Sequence, residues 1–154
     1  MTSNGSAIAG KAATKFQEGF NCSQAVCSAL APHFGVSEEV ALRIGAAFGG
    51  GMGRMGEVCG AVTGAFMAIG LHRGNTVATD QAAKGETYML VRVLADRFKE
   101  KHGTILCREL LDCDISTPEG YKQATEKGVF RSKCPYYVKD AAEIAQDILN
   151  IPEE

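Results

Sequence analysis

Apolar residues recur every three or four positions along most of the chain, which is the spacing of one face of an α-helix. The pattern predicts helices over residues 6–18, 21–31, 37–48, 57–72, 79–102, 117–128 and 134–148, and a short helix after Thr104. No segment of the sequence alternates with a sustained period of two, which would mark a half-buried strand. The predicted fold class is therefore all-α, a single-domain helical bundle of about six or seven helices.

Helix starts and buried faces are predicted from the same pattern. Asn21, Ser37 and Thr117 each precede a predicted helix with a side chain that can accept a hydrogen bond from its first turn. Apolar stripes are expected to be buried in the helices over 37–48 and 79–102. The first stripe contains Val40, Ile44, Ala47 and Phe48, and the second contains Tyr88, Val91, Leu94, Ala95 and Phe98.

A glycine-rich loop, residues 49–56, lies between two of the predicted helices and reads Gly-Gly-Gly-Met-Gly-Arg-Met-Gly. Part of it matches the Gly-x-Gly-x-x-Gly string of dinucleotide-binding proteins. That motif requires a preceding strand, whereas residues 40–48 are predicted to be helical. We interpret the loop as a turn between helices that is flexible or covers a cofactor. A weaker alternative is an anion pocket formed by Arg54 and the N-terminus of the helix at Glu57.

Composition and charge restrict the classes of function. The chain has 154 residues, 45% hydrophobic and 22% charged, which suits one domain over residues 1–154 with residues 1–5 expected to be disordered. A net charge of −2 argues against nucleic-acid binding. The longest uncharged stretch, residues 58–71, is too short for a membrane span, and a secretory signal pattern is absent. We therefore expect a cytoplasmic protein without membrane insertion, in which stable disulfides are disfavoured.

Six cysteines are the most unusual feature of the composition. Four of them lie at or within the first turn of a predicted helix. These four are Cys22, Cys59, Cys107 and Cys134. A helix N-terminus lowers the pKa of a thiol, and the thiolate is the form that binds soft metals and attacks disulfides. The placement predicts a shared metal or redox site, with scattered buried cysteines as the alternative. Cys27 and Cys113 lack this placement and are expected to be structural.

The chain resembles a known family over most of its length, roughly residues 20–148. Residues 59–64, Cys-Gly-Ala-Val-Thr-Gly, match the Cys-Gly-Ala-x-x-Gly motif of the C_GCAxxG_C_C family, whose members are assigned a redox role. The match extends to Asn21-Cys22, residues 49–57, the segment Cys107-Arg108-Glu109-Leu110 and Cys134. The resemblance implies that the four family cysteines are Cys22, Cys59, Cys107 and Cys134. Cys27 and Cys113 fall outside the pattern.

The resemblance also implies a biological context. Members of the family are often encoded near transporter genes, and a related domain in a multihaem cytochrome is thought to carry an iron–sulfur centre. This chain contains no Cys-x-x-Cys-His segment, so covalently attached haem is not implied.

Three kinds of centre are consistent with these residues. The first is an iron–sulfur cluster, which takes four thiolates and tolerates widely spaced ligands, and the cluster would serve electron transfer or sensing. The second is a metal-free thiol/disulfide pair made by two of the four cysteines, and the third is a structural zinc site. Gly60 and Gly64 are expected to contribute to cofactor binding by letting backbone N–H groups approach the cluster sulfurs, and their absent side chains also allow the close approach of another backbone. The sequence shows no general acid or base, so no catalysed reaction is predicted.

The expected partners follow from the same hypotheses. A redox partner protein is expected for electron transfer. Association with a transporter and pairing into a homodimer are further hypotheses.

Overall fold

The computed structural model describes residues 6–153, and the expectation of disorder for residues 1–5 lies outside this part of the chain. Within it, seven helices of eight or more residues and two four-residue helices confirm the all-α prediction. They are α1 Ala7–Gln17, α2 Cys22–Leu30, α3 Glu38–Gly45, α4 Gly60–Arg73, α5 Gln81–His102, α6 Cys107–Leu110, α7 Pro118–Lys127, α8 Val129–Ser132 and α9 Cys134–Ile148. Short 3₁₀ turns follow α2 and α3, over Ala31–Phe34 and Ala46–Phe48.

Side-chain caps begin several of these helices where the sequence predicts them. The Asn21 side chain accepts a hydrogen bond from the Gln24 backbone N–H, and the Gln24 side-chain oxygen accepts one from the Asn21 backbone N–H, which completes a capping box. Ser37 caps α3, and Thr117 caps α7. These caps satisfy N–H groups that a helix start leaves without a partner, so they set where the chain turns into each helix.

The core lies where α2, α4 and α9 meet, with α1 and α5 packed around them. Its largest fully buried side chains are Phe98, Ile8, Leu30, Ile69 and Leu94. Helix α4 is buried along most of its length, which matches its nearly charge-free sequence. The starts of α2, α4 and α9 lie at one end of this core and bring their first residues to one place.

Three buried positions predicted for the helix over 37–48 and one predicted in α5 are wrong, and one of the three is Ala47, which is exposed and lies beyond the end of α3. Val40 and Ile44 are 45% and 47% exposed, and Tyr88 is 61% exposed. Helix α3 instead turns Ala41 and Gly45 toward α2, because a glycine lets the two backbones meet. A Cβ added at Gly45 would lie 3.0 Å from the backbone of α2.

The predicted start of α4 at residue 57 is also wrong, because residues 57–59 pair with residues 105–107 before the helix begins. Val58 and Leu106 form an isolated antiparallel bridge. The Cys59 backbone N–H donates to the Ile105 carbonyl at 2.7 Å, and the Cys107 N–H donates to the Glu57 carbonyl at 2.7 Å. This pairing holds Cys59 and Cys107 beside each other, although they are far apart in the sequence.

No helix within residues 6–153 is both long enough and apolar enough to cross a membrane.

Candidate functional site

The four cysteines singled out in the sequence all line one cavity of about 630 Å³. Three of them are buried, and Cys22 is partly exposed. All six cysteines of the chain have free thiols. Aromatic side chains supply much of the remaining wall, and these are Phe16, Phe20, Tyr121, Phe130 and Tyr137. The fold thus gathers four thiols from separate helix starts into a single aromatic-walled site.

Cys22 and Cys134 form the most closely linked pair in the cavity. They are the first residues of α2 and α9, and their side chains share a hydrogen bond. That bond from Cys22 lowers the pKa of the Cys134 thiol, while the same bond and burial raise the pKa of Cys22 well above its ordinary value. When the pair loses one proton, Cys134 is therefore the side chain that gives it up, while Cys22 keeps its own.

Burial determines the protonation of the other two thiols. It raises the pKa of both Cys59 and Cys107 to about 12. Backbone N–H groups of Ala61 and Val62, in the first turn of α4, lower the pKa of Cys59, but burial outweighs them. The expectation that every helix start would favour thiolate is therefore wrong for Cys59 and Cys107, because desolvation penalises a buried charge more than a helix end stabilises it. It is also wrong for Cys22, whose pKa is raised first by the hydrogen bond with Cys134 and then by burial.

Tyr137 is a cavity residue that the sequence analysis missed. Its hydroxyl donates to the Leu110 carbonyl at 3.0 Å. Burial first, and then the nearby cysteines led by Cys134, raise the pKa of this phenol. The available signal was spacing: Tyr137 follows Cys134 by three residues, which places both on the same face of α9.

The glycines of the motif allow close packing around the cysteines. A Cβ at Gly60 would lie 3.0 Å from the Ser23 backbone nitrogen and 3.2 Å from the Cys22 Cβ. A Cβ at Gly64 would lie 2.8 Å from the Ser23 carbonyl oxygen. Gly60 lines the cavity, whereas Gly64 is buried between α4 and α2. Both positions thus serve the contact of two helix backbones, one of the two roles expected for them.

The glycine-rich loop forms a left-handed turn over one side of the cavity. Five consecutive residues, 50–54, have φ between +57° and +68°. The loop is held by its own backbone, since the Met52 N–H donates to the Phe48 carbonyl at 3.0 Å and the Arg54 N–H to the Gly49 carbonyl at 3.0 Å. The Glu57 N–H donates to the Gly51 carbonyl at 2.9 Å. The sequence suggested an anion pocket formed by Arg54 and a helix N-terminus at Glu57. No helix begins at Glu57, so the part of this prediction that concerns the helix N-terminus is wrong.

Cys27 and Cys113 lie outside the cavity lining. Cys27 is buried against Ala31 and Ala41 in a small apolar cluster. The Cys113 thiol donates to the Gly120 carbonyl at 3.1 Å and is partly exposed. These contacts are those of packing residues, and they make the two cysteines suitable controls for the other four.

Cys27 should give the protein a measurable sensitivity to alkaline pH. Burial raises the pKa of its thiol from 9.0 to about 11, so the unfolded chain loses this proton first and stability falls as pH rises between those values. We expect the free energy of unfolding, wild type minus Cys27→Ser, to decrease by about 2 kcal/mol across that range. Urea denaturation of both proteins at several pH values measures it, and a difference that stays constant with pH would contradict the burial argument.

Fold and site together define a class, a small all-α protein built around a four-cysteine centre. A family model described as "Putative redox-active protein (C_GCAxxG_C_C)" matches residues 20–148. The chain belongs to this family, as its motifs predicted. A search of curated proteins found no match, and a search of solved structures found none either.

Proposed function

We propose that the protein is an electron-transfer or sensor protein whose four cavity cysteines bind an iron–sulfur cluster. The observation that carries the proposal is the convergence of Cys22, Cys59, Cys107 and Cys134 on one cavity. Four cysteine sulfurs are the usual ligands of two-iron and four-iron clusters. A cluster placed there would supply one-electron chemistry, and a redox partner protein would exchange the electron.

The residues around the thiols fit a group larger than one ion. Within residues 6–153, no three His, Cys, Asp or Glu side chains are arranged closely enough to hold a single metal ion. A zinc site requires four sulfurs about 2.3 Å from one atom, whereas a polynuclear cluster accepts ligands that are further apart. Glycine at positions 51 and 60 lets the backbone lie directly against two of the cysteines, since an added Cβ would lie 2.7 Å from Cys107 Cβ and 3.2 Å from Cys22 Cβ.

Residues around the four thiols would stabilise a bound cluster in two ways. Cys59 has the backbone N–H groups of Ala61 and Val62 as hydrogen-bond donors, and such bonds to a ligand sulfur stabilise its anionic form. The aromatic walls limit water, which strengthens electrostatic interactions inside the cavity. Bound iron must first displace the thiol protons, so cluster assembly should be favoured by alkaline conditions.

Anaerobic purification tests the proposal directly. We expect visible thiolate-to-iron charge-transfer absorption, with iron and acid-labile sulfide in matching amounts for each chain. Zinc and no iron would overturn the proposal in favour of a structural site. A colourless, metal-free protein that still has reversible redox chemistry would favour the hypothesis of a thiol/disulfide pair.

A second candidate function is supported by the hydrogen bond between Cys22 and Cys134. In thiol–disulfide exchange, a thiolate attacks one sulfur of a disulfide and a neighbouring thiol then resolves the mixed disulfide. A pair whose proton is already shared is suited to these two roles. This function requires no metal.

Iron-free protein should therefore lose two thiols on mild oxidation. The expected product is a disulfide between Cys22 and Cys134, because these side chains already lie in contact. Thiol titration and peptide mapping by mass spectrometry measure the loss and the linkage. Cys59→Ser should leave the linkage intact, whereas a disulfide that joins Cys59 to Cys107 instead would contradict this pairing.

A further inference from the structure

Arg54 occupies a backbone position that is better suited to glycine. Its φ is +65°, and it lies in the left-handed turn in which three of the five residues 50–54 are glycine. A non-glycine residue in this region costs about 1–2 kcal/mol. Backbone strain of this kind is typical of positions whose side chain has a function. The geometry of the turn alone therefore does not explain why position 54 is an arginine.

The Arg54 side chain lies against an aromatic wall of the cavity. Its guanidinium carbon lies 4.0 Å from the centroid of the Tyr121 ring, and Nη2 donates to Tyr121 Oη at 3.1 Å. Tyr121 therefore fixes the plane and the position of the guanidinium. The guanidinium N–H groups that do not bond Tyr121 are free to donate to an anion.

Arg54 also stands out by its charge. It is the one lysine, arginine, aspartate or glutamate among the described residues that line the cavity. None of the ion pairs within residues 6–153 involves it, although Arg43, Arg73, Arg97 and Arg108 each pair with a carboxylate. A cation without a carboxylate partner, at the edge of an apolar cavity, creates a local attraction for negative charge.

We propose that this cavity binds a small organic anion, with its acidic group on Arg54 and its apolar body among the aromatic side chains. The volume of about 630 Å³ lies in the range of small-molecule sites. The combination of one fixed charge with apolar walls selects a carboxylate or similar acid that carries a ring or an alkyl group. The anion would lie at the Arg54 and Tyr121 side of the same cavity that the four cysteines line, and its binding at Arg54 requires no cofactor.

Calorimetric titration with benzoate tests the site, with iron measured on the same sample. Benzoate should bind the wild-type protein, while benzamide, which has the same ring without the charge, should bind about ten- to a hundred-fold more weakly. Inorganic phosphate, which has charge without an apolar body, should also bind more weakly than benzoate. Equal binding of benzamide, or tighter binding of phosphate, would overturn the proposed ligand class.

Substitution of Arg54 separates recognition from folding. Arg54→Gly removes the guanidinium and suits the left-handed backbone, and Arg54→Gln removes the charge while keeping a side chain. Both should weaken benzoate binding about ten- to a hundred-fold while circular dichroism shows an unchanged fold. Arg43→Gln, on the exposed side of α3, is the matched control and should bind benzoate like the wild type. Unchanged binding in both Arg54 variants would overturn the proposal whether or not a cluster is present.

Discussion

Serine in place of any one of the four cavity cysteines should abolish the visible chromophore and most of the bound iron. The reason is that each thiol comes from a different part of the fold and supplies one of four ligands, so a substitution leaves the centre with three thiols. A serine hydroxyl is a harder and less acidic ligand than a thiol and binds iron poorly in such clusters. Anaerobic purification of each variant, followed by absorption spectra and iron and sulfide analysis, measures the effect.

The chain supplies its own controls for these substitutions. Cys27→Ser and Cys113→Ser each remove one thiol that does not line the cavity. Both variants should keep the full iron and sulfide content. If Cys107→Ser kept its cluster while Cys113→Ser lost it, the ligand assignment would be wrong.

Alanine at Gly64 should lower the free energy of unfolding by about 1–3 kcal/mol, the usual cost of overpacking a tight interior contact. The added Cβ would lie 2.8 Å from the Ser23 carbonyl oxygen and 3.1 Å from Val26 Cβ, so α2 and α4 would have to separate. Since Cys22 begins α2 and Cys59 precedes α4, this separation should also reduce iron content. Urea denaturation and iron analysis of the purified variant measure both effects.

Gly70→Ala on the same helix is the matched control, and its effect should have the opposite sign. No atom lies within 4 Å of a Cβ added there, so the substitution adds helix propensity without a clash. We expect a gain of up to about 1 kcal/mol and unchanged iron content. Equal losses of stability at Gly64 and Gly70 would show that glycine at both positions matters for reasons other than the α2–α4 contact.

Local chemistry made much of the fold predictable. The Asn21, Ser37 and Thr117 caps act within one helical turn, so their neighbours in sequence suffice to recognise them. Long periodic segments such as residues 134–148 were predictable for the same reason. The exposure of Val40 and Ile44 was not, because it depends on which face of α3 meets α2.

The sequence alone determined the helical class, most helix starts and the four cysteines of the candidate site, because periodicity, caps and motifs are local properties. Only the tertiary structure decided that residues 57–59 pair with residues 105–107, that Cys22 shares a hydrogen bond with Cys134, and that Arg54 lies against Tyr121. It also decided the protonation of the thiols, since burial in a shared cavity raises most of their pKa values where helix starts alone would lower them. Contacts between distant segments and the desolvation they cause depend on how the whole chain packs, and no single stretch of sequence encodes them.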